Sequence, residues 1–109
     1  MRQVAVHKIY YDGSHILSKG VAVIDGEQVV KIFPLTEEIE STEWIGGVIF
    51  LSHHEDINGI SEVKTIKDAL EIITNPLNDN GPLYAWHASK VDLAEGLILP
   101  GNKWTRLRA

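Results

Sequence analysis

The chain contains no cysteine. Disulfides, Cys-based zinc sites and thiol chemistry are therefore excluded. The absence suits a reducing compartment, and the sequence reads as that of a cytoplasmic protein. Long apolar runs are missing too, and none approaches the roughly 20 residues that span a bilayer. The opening Met1-Arg2-Gln3-Val4-Ala5-Val6-His7-Lys8 lacks the apolar stretch of a signal peptide. No membrane association is expected. Positive charge is in deficit, with 10 Lys and Arg against 15 Asp and Glu, a net charge of −5. Phosphate recognition needs clustered cations, so nucleic acid is not an expected partner. The one basic cluster, Lys103, Arg106 and Arg108, reads as a solvated tail. The sequence also has no GxSxG, no P-loop and no GxGxxG.

What is present is ordinary globular composition, 44% apolar and 23% charged. The length suits one domain, 1–109, with one core and little surplus stability. Its first third is marked by Asp12-Gly13 and Asp25-Gly26, tight-turn pairs in which Gly accepts positive φ. Between them lie β-branched runs. Strands are expected at Val4–Tyr11, Ile16–Ile24 (with Gly20 as a bulge) and Glu27–Phe33, ending at Pro34 and forming a meander. Apolar residues on both faces of 21–24 and 28–33 imply cover on both sides. The acidic stretch Glu37, Glu38, Glu40 and Glu43 reads as a solvated loop. Trp44–Leu51 reads as a fourth strand, where Gly46-Gly47 marks a bend or close backbone approach.

A polar loop, 53–59, precedes a helix at 65–74. Thr65 caps it, with Asp68 three residues on. Ile66, Ala69, Leu70 and Ile73 form its apolar stripe, and Asn75-Pro76 ends it. After the turn cluster 78–82, strands are expected at Leu83–Ala88, Leu93–Leu99 and Trp104–Leu107, with a turn at Pro100-Gly101-Asn102. The fold class is mainly β: a small sandwich or partly open barrel with one helix.

Candidate chemistry concentrates in His53, His54, Glu55 and Asp56. Imidazole with carboxylate suits zinc, iron or nickel. Adjacent residues on a strand point to opposite faces, so only a loop lets His53 and His54 converge. A solvated loop and a hydrogen-bonded structural role are the other readings. No acid–base pair or nucleophile stands out. Asp25 reads as a turn residue and Asp92 as a strand-end hydrogen-bond acceptor. Trp44, Trp86, Trp104, Tyr10, Tyr11 and Tyr84 read as core and rim aromatics.

One resemblance runs through the chain. Tyr10-Tyr11-Asp12-Gly13, followed by Gly20-Val21-Ala22-Val23-Ile24-Asp25-Gly26-Glu27-Gln28-Val29-Val30-Lys31-Ile32, resembles the opening of metal-dependent amidohydrolases. Trp44-Ile45-Gly46-Gly47-Val48-Ile49-Phe50 looks like that family's next strand. The segment from Asp92-Leu93 through Leu97-Ile98-Leu99-Pro100 to Thr105-Arg106-Leu107 looks like its closing strands. In that family both chain ends build an accessory β-domain, with a barrel of about 250 residues inserted between them. The interval from Ser52 to Pro82 has no room for a barrel. The family's His-x-His motif is replaced by adjacent His53 and His54, and its preceding Pro-Gly is absent. The resemblance thus implies the β-domain alone, with no catalytic residue transferred and no cofactor.

Three functions follow as expectations: a non-catalytic structural or protein-interaction module, partnering an amidohydrolase; a small-ligand or metal-binding domain using the His53–Asp56 loop; and a small hydrolase. A protein partner or a homo-oligomer fits the sheet edges that short strands leave. Closing the sheet is expected to pair the N- and C-terminal arms.

Overall fold

The computed structural model describes residues 1–11, 15–36, 41–73 and 81–109. The Asp12-Gly13 turn, the acidic residues 37, 38 and 40, the Asn75-Pro76 helix stop and the 78–80 part of the turn cluster lie outside them. The elements are β1 (Arg2–Tyr10), β2 (Ile16–Asp25), β3 (Gln28–Pro34), β4 (Thr42–Trp44), β5 (Val48–Ser52), a 3-10 turn (Ile60–Glu62), α1 (Ile66–Ile73), β6 (Tyr84–Ala88), β7 (Val91–Asp92), β8 (Leu97–Ile98) and β9 (Trp104–Leu107).

The architecture is mainly β with one short helix. A seven-stranded sheet has the order β3-β2-β1-β5-β6-β9, with β4 also on β1, and β7 and β8 form a separate small hairpin. The main sheet does not close into a barrel. Its two edges are nonetheless bridged where the Val29 N–H donates to the Leu83 carbonyl (2.8 Å) and the Ala109 N–H to that of Gly26 (2.7 Å).

The expected meander is present: β2 lies antiparallel to β1 and to β3. Gly26, at φ +64°, takes the first central place of the β2–β3 turn, where a side chain would be strained. Gly20 is no bulge, since it pairs with Val6 in register. An added Cβ there would sit 2.7 Å from the Ile9 side chain, so this glycine leaves room for a core residue. The ladder slips instead between Val23 and Ile24, and Lys19 takes φ +51° beside His7, which has no register partner on β2. At that corner the face presented to the core changes. Val4 and Val6 enter it on one side and Ile9 on the other alternation.

The single strand expected at 44–51 is two. Both run parallel to β1, with Ala5 opposite Trp44 and Lys8 opposite Val48. β1 advances three residues where its partner advances four, so the extra residue is absorbed at Gly46 and Gly47, both near φ +65°. The strand expected at Leu93–Leu99 is also corrected. The Asp92 carboxylate accepts the Glu95 N–H (3.1 Å) and Gly96 has φ +69°, which turns the chain into the β7–β8 hairpin. Nor do the terminal arms pair. β9 lies on β6, and β1 takes β2, β4 and β5 as neighbours. The arms meet through the Arg2 side chain, which donates to the Arg108 carbonyl.

Two apolar clusters sit on opposite faces of β5. Ile49 and Leu51 join Val4, Val6, Ile9, Ala22, Ile24, Ala85 and Leu107 inside the curl of the sheet. Val48 and Phe50 join Tyr10 and Ala88 beneath Ile66, Ala69 and Ile73 of α1. All five β5 residues are buried, which explains a strand that is apolar without alternation. Thr65 caps α1 as expected, its hydroxyl accepting the Asp68 N–H at 3.0 Å. No helix among the described residues is long and apolar enough to cross a membrane.

Candidate functional site

The His53–Asp56 loop leaves the end of β5 and is held by its neighbours' side chains. The Trp86 indole donates to the His54 carbonyl at 3.1 Å, and the Arg106 guanidinium reaches the Glu55 carbonyl at 3.4 Å. Buried Ser52 accepts the His54 N–H at 3.1 Å. The Tyr84 hydroxyl donates to the Glu55 carboxylate at 3.1 Å, while Arg106 lies over the Tyr84 ring and pairs with Glu27 at 3.2 Å. Burial, and then the bond to Glu55, push the Tyr84 hydroxyl above its ordinary range. His53 Nδ1 lies 2.9 Å from the Pro82 carbonyl.

Of the four candidate ligands, the structure ties Glu55 to Tyr84 and His53 to backbone. No three His, Asp or Glu side chains group around a common point among the described residues. The arrangement does mechanical work. It clamps the loop to β6 and β9, and through Glu27 it reaches the β2–β3 turn at the far edge of the sheet.

An apolar concavity lies elsewhere among the described residues. A groove of about 880 Å³ runs between the Ser61–Lys64 segment and the Leu97–Trp104 loop. Its walls are largely Val63, Leu97, Ile98, Leu99, Pro100 and Trp104. Leu97 and Leu99 remain 39% and 36% exposed. The groove is built on backbone: the Ile98 N–H donates to the Lys64 carbonyl (2.9 Å) and the Leu99 N–H to that of Lys90 (3.1 Å). Asn102 secures the loop, its side-chain oxygen accepting the Lys90 N–H at 2.9 Å. The Ser89 hydroxyl accepts the Lys103 N–H at 3.0 Å. The Asn102 side-chain nitrogen is buried and has no partner.

Sequence reasoning missed this groove. Leu97-Ile98-Leu99 read as the end of a strand and Pro100 as the start of a turn, and consecutive apolar residues do not tell which side a short hairpin leaves open. Compared with protein-family models, with curated proteins and with solved structures, the chain has no match in any of the three.

Proposed function

We propose that the domain is a non-catalytic protein-interaction module whose groove receives an extended, mainly apolar segment of a partner protein. The observation that carries this reading is the groove's wall. Two leucines stand more than one third exposed beside Pro100 and Trp104, on a loop fixed by Asn102 and Ser89. Contiguous exposed apolar surface in a concave, pre-formed site is the usual mark of a binding surface. The resemblance of the β-strand motifs to the accessory domain of amidohydrolases supports an ancillary role and suggests such an enzyme as the partner.

The test uses a library of apolar peptides of about ten residues against the labelled protein. Binding is expected to shift the Trp104 indole and the Leu97 and Leu99 methyl signals. A Leu97→Asp, Leu99→Asp variant with unchanged circular dichroism is expected to lose at least about tenfold in affinity, from two removed apolar contacts. Peptides that bind the variant as well as the parent, or that shift other residues only, overturn the reading.

A further inference from the structure

β9 ends the main sheet, and among the described residues its one strand neighbour is β6. The register of that pair decides which backbone groups of β9 are already bonded. The Lys103 carbonyl accepts the Ser89 N–H at 3.4 Å. Thr105 and Leu107 follow at intervals of two, opposite His87 and Ala85. In an antiparallel pair such a set bonds across the ladder, and the alternate set turns away from it. Trp104 and Arg106 therefore point N–H and C=O out of the sheet's edge. No backbone group of the described residues meets these four.

Exposed edges pair unless something guards them. The β3 edge is guarded: its ladder slips at Val23 and Ile24, Pro34 has no N–H to give, and the Val29 N–H is bonded to Leu83. β9 has neither a proline nor a register break over Trp104–Leu107. Its guards are charges, Lys103, Arg106 and Arg108. Charges bar a partner strand only where they meet their like.

We propose that two copies of the chain pair through β9, antiparallel about a twofold axis at Thr105.

The register follows by elimination. A one-residue slip sets outward groups against inward ones and forms no ladder. An axis at Arg106 opposes the two arginines and calls on the Arg108 carbonyl, which the Arg2 side chain holds at 3.1 Å. An axis at Trp104 needs Asn102, whose N–H is spent on the Leu99 carbonyl within the turn. The axis at Thr105 sets Trp104 of each copy opposite Arg106 of the other, so all the outward groups of both residues bond across the contact. The interface is self-complementary, as a twofold requires.

The side chains agree with this register. The Arg106 stem lies beside the indole of the second copy, while its head stays on Glu27 and over the Tyr84 ring. Lys103 faces Leu107 and Arg108 faces Asn102, so no like charges stand directly opposed. Thr105 is exposed and meets its own copy on the other face, a favourable cross-strand pair. Each copy carries −5 overall, and contact through a basic strand lowers the repulsion between them. The contact is small, so the dissociation constant falls between roughly 10 μM and 1 mM.

Sedimentation equilibrium of the intact chain across about that range is expected to show monomer passing to dimer. The Trp104 and Arg106 amides are expected to exchange at least about threefold more slowly at the high end. The Thr105 amide, turned toward β6, is expected to be protected at both ends. Thr105→Lys and Thr105→Glu each put like charges on the axis, and each is expected to weaken association at least about threefold. Mixed in equal amounts, the two variants are expected to recover it as a heterodimer. Circular dichroism checks that both variants fold, and the exchange pattern of the parent needs no variant. A chain that stays monomeric to about 1 mM, edge amides indifferent to concentration, or a mixture that associates no better than either variant alone overturns the proposal. So does an association that Leu97→Asp, Leu99→Asp abolishes and Thr105→Lys leaves intact, because it belongs to the groove.

Discussion

The two halves of this small sheet are held together by different means. In β1 to β3 the strands are seven to ten residues long, and the ladder itself supplies the hydrogen bonds. From residue 81 onward the strands run two to five residues. Side chains there complete the backbone's hydrogen bonding: Asn102 for Lys90, Ser89 for Lys103, Asp92 for Glu95, Trp86 for His54. Long ladders tolerate the loss of any one side chain, because adjacent pairs share the load. Short strands depend more on individual polar residues, since each such hydrogen bond nets about 0.5–1.5 kcal/mol and few adjacent ladder bonds share its loss. The second half is thus the more fragile and also the half that carries the groove.

The largest effect is expected from removing residues 100–109. That deletes β9 and takes Leu107 from one apolar cluster and Trp104 from the margin of the other. The cooperative thermal transition is expected to disappear. A truncated chain that melts at an unchanged midpoint would show that the first half stands alone and would break the comparison.

Gly47→Ala follows. The new methyl meets a backbone oxygen at φ +64°, and neither relaxes cheaply. Left-handed strain and overpacking together are expected to cost about 3 kcal/mol by denaturant titration. Gly20→Ala in the first half is the matched control, because its obstruction is the flexible end of Ile9. Equal losses at the two glycines would remove the distinction between backbone and side-chain crowding.

Asn102→Ala is expected to cost about 1 kcal/mol, from the lost hydrogen bond to the Lys90 N–H, and to raise exchange at Lys90 and Leu99. Truncating Gln3, whose side chain bonds Thr42 within the first half, is expected to cost less. The reverse order would contradict the reading of the second half as pinned by side chains.

The smallest effect belongs to the paired His53→Ala and His54→Ala replacement. Stability is expected to fall by under about 1 kcal/mol, through the lost His53 contact with Pro82. Metal content by elemental analysis is expected to match the parent's. A drop in bound metal would restore these residues as ligands.

Most of the first half was legible from sequence because its signals are local. Asp25-Gly26 announces a turn, β-branched runs announce strands, and Thr65 with Asp68 announces a helix start. The errors occurred where tertiary contacts decide. Gly46-Gly47 signals a bend, yet only the approach of Ala88 shows that the bend splits a strand. Leu93–Leu99 has strand composition, but one Asx turn at Asp92 folds it into a hairpin. The polar loop at His53 was legible as a cluster of ligand types. What those groups bond to depends on Tyr84, Trp86 and Arg106, far along the chain.

The bridge between the sheet's two edges has a consequence in time. Gly26 receives its partner from Ala109, and Val29 receives its partner from Leu83. During synthesis the β1–β3 meander emerges early, with one edge still waiting for its cover. Loop closure over so long a segment is entropically slow. The nascent chain therefore carries a bare strand until residues 83 and 109 have been made.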